Sequence, residues 1–280
     1  MTKNIKYNLH THSKFCDGSG NIEDFIKTSI NNNIDVLGFS SHAPLPFDNS
    51  FSIKEEKITQ YIDEIQLLKN NYSHKIEILT GLECDYIHGL SQSFSFFKQK
   101  YNLDYIIGGV HLVGKNIAKN LWFIDGPKRE IYDNGLKKFY NNNAQKAVTE
   151  YYTQMLEMLQ VEEMDILAHL DKIKMHNQDR FFSTHEKWYN GLVMEVLELV
   201  KQKDIIAEIN YRGIYKKRYN DFYPSLNILK KMKEMNIRIC ISSDAHHHSE
   251  LDVLHQDALH FAQSAGYKET WCLERSIPIL

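Results

Sequence analysis

The chain has 280 residues, 42% hydrophobic and 25% charged, and a formal net charge of -3. That composition is ordinary for a globular domain with a sizeable core and lacks the basic surplus of a general nucleic-acid binder. No apolar run reaches the roughly eighteen residues a membrane span needs, and Met1 to Tyr7 carries no apolar signal core, so a cytoplasmic protein with no membrane or nucleic-acid partner is expected.

Short apolar runs alternate with stretches of helical spacing. Strands are expected at Ile5 to Leu9, Asp35 to Ser41, Ile76 to Leu82, Tyr105 to Val110, Asp165 to Ala168, Ile205 to Asn210 and Ile237 to Ser242. Helices are expected at Asn21 to Asn32, Lys54 to Asn70, Phe94 to Tyr101, Asn142 to Val161, Trp188 to Lys201, Ser225 to Met235 and Ser249 to Ala265. Leu112 to Gly135 is aromatic and charged and reads as an excursion or lid. Strands that alternate with helices pair in parallel, and about seven such units close most economically into a barrel. No linker or repeat interrupts them, so residues 1–280 read as a single domain.

The four cysteines, Cys16, Cys84, Cys240 and Cys272, form no CxxC pair and are expected to be buried and reduced. Histidine is the unusual residue, with 14 copies. His10-Thr11-His12 and Asp17 follow the first strand, His42 the second and Glu83 the third. His111 follows the fourth, His169 and Asp171 the fifth, and Asp244-Ala245-His246 the last. The C-terminal strand ends of a parallel barrel share one rim, so these residues should converge. Each alone has a bland reading, such as a hydrogen-bonded histidine or an N-capping acid. Jointly they would bury many ionisable groups in one cleft, at a cost that bound cations offset. Imidazole and carboxylate suit zinc, manganese or iron.

The motifs His10-Thr11-His12 with Asp17, Ser41-His42, Gly81-Leu82-Glu83, Gly109-Val110-His111, Ala168-His169-Leu170-Asp171 and Ser243-Asp244-Ala245-His246 resemble, in this order, the PHP (polymerase and histidinol phosphatase) family of metal-dependent phosphoesterases. The resemblance spans essentially the whole chain. It is strongest to the stand-alone histidinol-phosphatases, through His42-Ala43-Pro44, Glu83-Cys84-Asp85-Tyr86, Glu208 to Gly213 and Phe222-Tyr223-Pro224-Ser225. It implies a distorted (β/α)7 barrel with three divalent transition-metal ions, zinc, manganese or iron. His10, His12, Glu83 and Asp244 would hold one ion, Asp17, His42 and His246 a second, and Glu83, His111 and His169 a third, with Glu83 bridging. Some family members carry His where this chain has Asp17, and the oxygen makes that site harder.

The implied reaction is hydrolysis of a small phosphomonoester, L-histidinol phosphate, by a hydroxide shared between metals. Another phosphomonoester, a cyclic phosphodiester, a nucleotide, or a non-catalytic metal-stabilised module are the alternatives. His246, Asp244 or His42 could protonate the leaving group. Phosphate calls for fork donors, and Arg212 lies just past a strand, with Lys216, Lys217 and Arg218 behind it and Lys172 at another strand end. Glu208, Asp85, Tyr86 and Trp122 are candidates for the amine and imidazole of the substrate. His74, His88, His176, His185, His255 and His260 read as partnerless, and His247 and His248 as solvent-facing or capping the last helix. Tyr151 and Tyr152 read as core.

Overall fold

A computed structural model of the chain describes residues 5–279. Seven strands form one sheet in which spatial order equals sequence order: β1 (Tyr7–Asn8), β2 (Val36–Phe39), β3 (Glu77–Asp85), β4 (Tyr105–Gly109), β5 (Ile166–Leu167), β6 (Ile206–Asn210) and β7 (Ile239–Ser242). All neighbouring pairs are parallel, in registers such as Tyr7 with Val36, Glu83 with Ile107 and Glu208 with Cys240. Parallel neighbours need long crossovers, and helices such as Ile22–Asn31, Ile58–Tyr72 and Lys187–Gln202 supply them.

The ring between β1 and β7 closes without a ladder. Thr11 makes a single parallel bridge to Ala245: the His12 N–H donates to Ala245 O at 2.8 Å and the Ala245 N–H to His10 O at 3.2 Å. Beside it the Asn8 amide donates to Ser243 Oγ at 2.7 Å and accepts from the Ser243 N–H at 3.1 Å. The seam therefore lies at the rim that carries His10, His12 and Asp244. This is the barrel that the strand–helix alternation implies, in the distorted (β/α)7 form that the resemblance implies.

Side-chain alternation sorts the strands into two faces. Tyr7, Val36, Leu79, Tyr105, Ile107, Ile166, Ile206 and Cys240 pack inside the barrel. Leu37, Ile78, Leu82, Ile106, Leu167, Ile209 and Ile241 face the helices, with Tyr151 and Tyr152. Tyr105 lies across the interior and its hydroxyl donates to Leu9 O at 2.5 Å. A Cβ at Gly38 or Gly81 would collide with that ring, which accounts for glycine inside two central strands. Above this layer the same inward faces carry Glu83, Asp85, Glu208, Asn210 and Ser242. The barrel floor is apolar and its upper rim is ionisable.

Several boundaries differ from the sequence expectation. β3 runs to Asp85, so Glu83 sits on the strand rather than after it. His10-Thr11-His12 lies beyond β1, held by the Thr11 bridge instead of a ladder. The excursion is not wholly irregular: it contains a hairpin, Leu112–Val113 with Trp122–Phe123, and a helix, Arg129–Tyr140. The last expected helix splits into a turn at His248–Glu250 and a helix at His255–Ser264. A C-terminal hairpin, Glu269–Cys272 with Arg275–Pro278, follows that helix and lies outside the expected elements. Its turn places Leu273 at φ 53° and offers none of the Asn-Gly chemistry that marks such turns. Cys272 and Ile277 join the interior cluster from the end where the strands begin.

All four thiols are free, Cys84, Cys240 and Cys272 buried and Cys16 half-buried. No helix among the described residues is long and apolar enough to cross a membrane. The stretch read for a signal core lies outside the described residues as far as residue 4.

Candidate metal centre

Glu83 sits at the middle of the rim, its carboxylate buried among five imidazoles. Its Oε2 lies 3.3 Å from His10 Nε2, 3.4 Å from His12 Nε2 and 3.1 Å from His42 Nδ1. Its Oε1 lies 3.1 Å from His169 Nε2 and 3.5 Å from His111 Nε2. Asp244 presents Oδ1 to His12 Nε2 and to His246 Nδ1, both at 3.4 Å. Asp17 Oδ1 lies 3.1 Å from His246 Nε2 and 4.0 Å from His42 Nε2.

These separations are those of ligands around a cation. Four ligands at about 2.0–2.1 Å from zinc stand roughly 3.3 Å apart. Potential ligand atoms within 4.8 Å of one another group as His10, His12 and Glu83; as Glu83, His111 and His169; and as His12, Asp17, His42 and His246. His10 Nε2, His12 Nε2, His42 Nδ1 and His169 Nδ1 are buried without a hydrogen-bond partner. Buried polar atoms are rarely left so, and a cation at the centre would satisfy the three that face Glu83. The residues present therefore fit divalent metal. All nine sequence-derived ligands, His10, His12, Asp17, His42, Glu83, His111, His169, Asp244 and His246, meet at this rim. A fourth group, His42, Asp85 and His111, brings in one residue that the sequence reading did not count as a ligand.

Local structure explains the convergence. Ser41 holds the turn before His42: its N–H donates to Tyr61 Oη at 3.2 Å, and that hydroxyl donates to Gly81 O at 3.1 Å. Asp244 has φ 53° and His169 φ 21°, conformations that cost energy and persist only where surroundings impose them. Glu250 accepts the His246 N–H at 2.8 Å and closes a capping box with His247, which ends the turn that aims His246.

The charges are mutually held. Burial opposes ionisation of Glu83, but His10, His42 and His111 outweigh it and keep the carboxyl well below its ordinary range. Burial likewise opposes charge on His111, yet Asp85, Asp125 and Glu83 raise it to about 10. Asp244 is buried too, and Lys172, Arg212 and His10 hold it well below the usual carboxylate range.

The cluster opens into a cavity of about 210 Å³. Lys172, Arg212 and Arg218 supply its positive wall, and Phe51, Phe123 and Pro127 an apolar one. Lys172 is buried, with Nζ 3.0 Å from Asp125 Oδ2 and 3.5 Å from Asp244 Oδ2. Arg212 opens a short helix, Arg212–Tyr215, and donates to Asp244 O at 2.7 Å. Lys216 instead pairs with Glu250. Sequence reasoning missed Asp125, Phe51 and Phe123: the first two lie outside regular elements and the third ends a two-residue strand, so no periodicity marks a facing direction.

The residues suggested for the substrate amine and imidazole are placed elsewhere. Glu208 is buried against His10, and Asp85 accepts from the His111 N–H at 3.0 Å and faces its Nδ1 at 2.7 Å. Trp122 is core, its indole donating to Tyr132 O at 3.0 Å, and Tyr86 packs in the outer core. Asp171 is buried in an ion pair with Lys174 at 2.6 Å, not in the metal cluster. Nor are the remaining histidines all partnerless. His176 Nε2 donates to Gly126 O at 2.8 Å, His88 faces Glu157 at 3.6 Å and His260 meets Gln256 at 3.2 Å. His248 meets Thr28 Oγ1 at 3.1 Å.

Comparison with known proteins agrees with this geometry. The chain is similar to the histidinol-phosphatase of Bacillus subtilis, 24% identical over 259 residues that cover 85% of this chain and 92% of that one. Its fold matches a Listeria monocytogenes protein described as a candidate histidinol phosphatase, with a TM-score of 0.77 at 22% identity over 90% of this chain and 99% of that one. It also matches the histidinol phosphate phosphatase of Lactococcus lactis, solved with zinc, L-histidinol and phosphate, with a TM-score of 0.66 at 20% identity over 98% of both chains. The PHP domain model matches residues 8–212, from β1 to the arginine after β6, and the chain belongs to the PHP domain family.

Proposed function

We propose that the chain, acting as one domain, hydrolyses L-histidinol phosphate to L-histidinol and phosphate. The observation that carries this reading is a Glu83-centred ligand cluster opening into a cavity with a cationic wall and an aromatic one. The cavity, about 210 Å³, is smaller than the roughly 300–1,000 Å³ typical of drug-sized ligands and suits a small phosphomonoester.

His10, His12, Glu83 and Asp244 would hold one divalent ion, Asp17, His42 and His246 a second, and Glu83, His111 and His169 a third, drawn from zinc, manganese and iron. Such ions supply Lewis acidity, polarising a phosphoryl oxygen and making water acidic enough to attack near neutral pH. Arg212, Lys172 and Arg218 line the same cavity and would neutralise the non-bridging oxygens, where transition-state charge resides. Lys172 and Arg212 hold Asp244 ionised, so it is a poor proton donor. Phe51 and Phe123 stack with ring centroids 5.4 Å apart and offer a face to an imidazole. Asp125 lines the cavity and keeps one oxygen, Oδ1, without a partner, which makes it our candidate for holding the substrate ammonium group.

Purified protein tested on a phosphoester panel checks the reading. Histidinol phosphate is expected to turn over well above an aryl phosphate that lacks the amine, and equal turnover would refute the substrate. Asp125→Asn is expected to raise KM for histidinol phosphate about tenfold or more, the cost of a lost charged hydrogen bond, and KM for the aryl ester by less, since both esters share the Lys172 that Asp125 pairs with. Arg212→Ala should lower kcat/KM for every phosphate ester in the panel, by roughly a hundredfold if it meets the transition state. A selective effect on one ester would place Arg212 at the leaving group instead.

A further inference from the structure

Glu208 is, with Asp85 and Asp171, a buried acid that the metal and phosphate assignments leave unused. It lies on the inner face of β6 and all four of its acceptor directions are taken. Oε1 faces His10 Nδ1 at 2.5 Å and accepts from the Ser242 hydroxyl. Oε2 accepts the His169 N–H at 2.9 Å and the Asn210 amide at 3.1 Å. The same Asn210 amide reaches Asp244 Oδ2 at 3.2 Å. A single carboxylate thus touches the ligand-bearing ends of β1, β5 and β7 directly and reaches Asp244 through one amide.

The pattern has a chemical consequence. A carboxylate accepts only, so the nitrogen of His10 that faces it carries the proton. The lone pair of His10 is then on Nε2, the atom turned towards Glu83 and Asp244. The His169 N–H, where the backbone has φ 21°, is fixed by the other oxygen. With no free acceptor and no place on the cavity wall, Glu208 cannot meet a substrate.

We propose that Glu208 is a positioning residue that sets the tautomer of His10 and the backbone of His169 together, and so couples two of the metal positions. This rests on the metal-centre reading above. Carboxylates behind a ligating histidine typically contribute 10- to 100-fold in metal affinity. In Glu208→Gln an amide NH2 must replace one acceptor oxygen: at the Oε1 place it is satisfied only when His10 moves its proton to Nε2 and Ser242 accepts, and at the Oε2 place it meets the His169 N–H, a donor that cannot turn.

The experiment titrates zinc into metal-stripped wild type and Glu208→Gln against a chromophoric chelator, with circular dichroism to confirm folding and 15N NMR to read the His10 tautomer. Glu208→Gln is expected to bind about 10- to 100-fold more weakly at more than one equivalent and to lose the protonated Nδ1 signal of His10. At saturating zinc, KM for any ester that the wild type hydrolyses should be nearly unchanged. Ser242→Ala, which removes one donor and keeps the acid, should weaken zinc binding about three- to tenfold, and it serves if the first variant does not fold. Wild-type affinity in either folded variant, or a raised KM with zinc affinity intact, overturns the proposal. If the wild type itself binds no zinc, the metal-centre reading fails first and this proposal falls with it.

Discussion

Glu83→Ala is expected to lower kcat/KM by at least roughly a thousandfold, about 4 kcal/mol of transition-state stabilisation. The reason is the number of partners that one side chain serves. Both oxygens of Glu83 face imidazoles, Oε2 towards His10, His12 and His42 and Oε1 towards His111 and His169. Removing them leaves a set of buried ring nitrogens with no anion between them, and burial makes that deficit expensive. The loss should extend to metal content: two separate equivalents should fall together, because Glu83 belongs to two of the ligand groups. Elemental analysis of the purified variant beside wild type measures this. Near-full activity, or loss of a single equivalent, would refute the bridging role.

Removal of metal from the wild type is the second large effect. Chelation should abolish more than about 99% of the activity, and manganese or zinc should restore it, since the Lewis acidity that makes water reactive near neutral pH goes with the ions. Stability should fall as well. A ligand present at a hundred times its Kd stabilises the fold by about 2.7 kcal/mol, which for a chain of this size is roughly 5–10 °C in Tm. The drop arises because the unfolded chain does not assemble His10, Glu83 and Asp244, which are 73 or more positions apart in sequence. Differential scanning calorimetry with and without chelator reads it directly. An unchanged Tm together with unchanged activity would mean that the cluster is satisfied without cations.

The strand–helix alternation and the ligand-type residues after each strand were legible because both are periodic or local signals. Ile76 to Leu82 reads as a strand from its own residues, and Glu83 then falls at a predictable end of the barrel. Boundaries were less legible where tertiary pairing decides them. β3 continues to Asp85 because Glu83, Cys84 and Asp85 pair with β4, and β1 stops at Asn8 because the chain turns towards Ala245. The C-terminal hairpin was illegible for a similar reason: Leu273 adopts a left-handed turn that its side chain does not advertise.

The candidate site divides the same way. Sequence by itself determined the barrel and put ligand-type residues and the arginine after β6 at one rim, because in a parallel barrel the position of a residue along its strand sets the end it reaches; the family resemblance named nine of them as candidate ligands. Only tertiary structure decided which acids line the cavity and which stand behind the candidate ligands. Glu208 and Asp85 look like substrate acids in sequence but are closed off by His10 and His111. Asp125 and Phe123 look like parts of a lid, yet they line the cavity. The physical reason is that a carboxylate's role follows from what occupies its acceptor directions, and those neighbours come from strands and loops far apart in the chain.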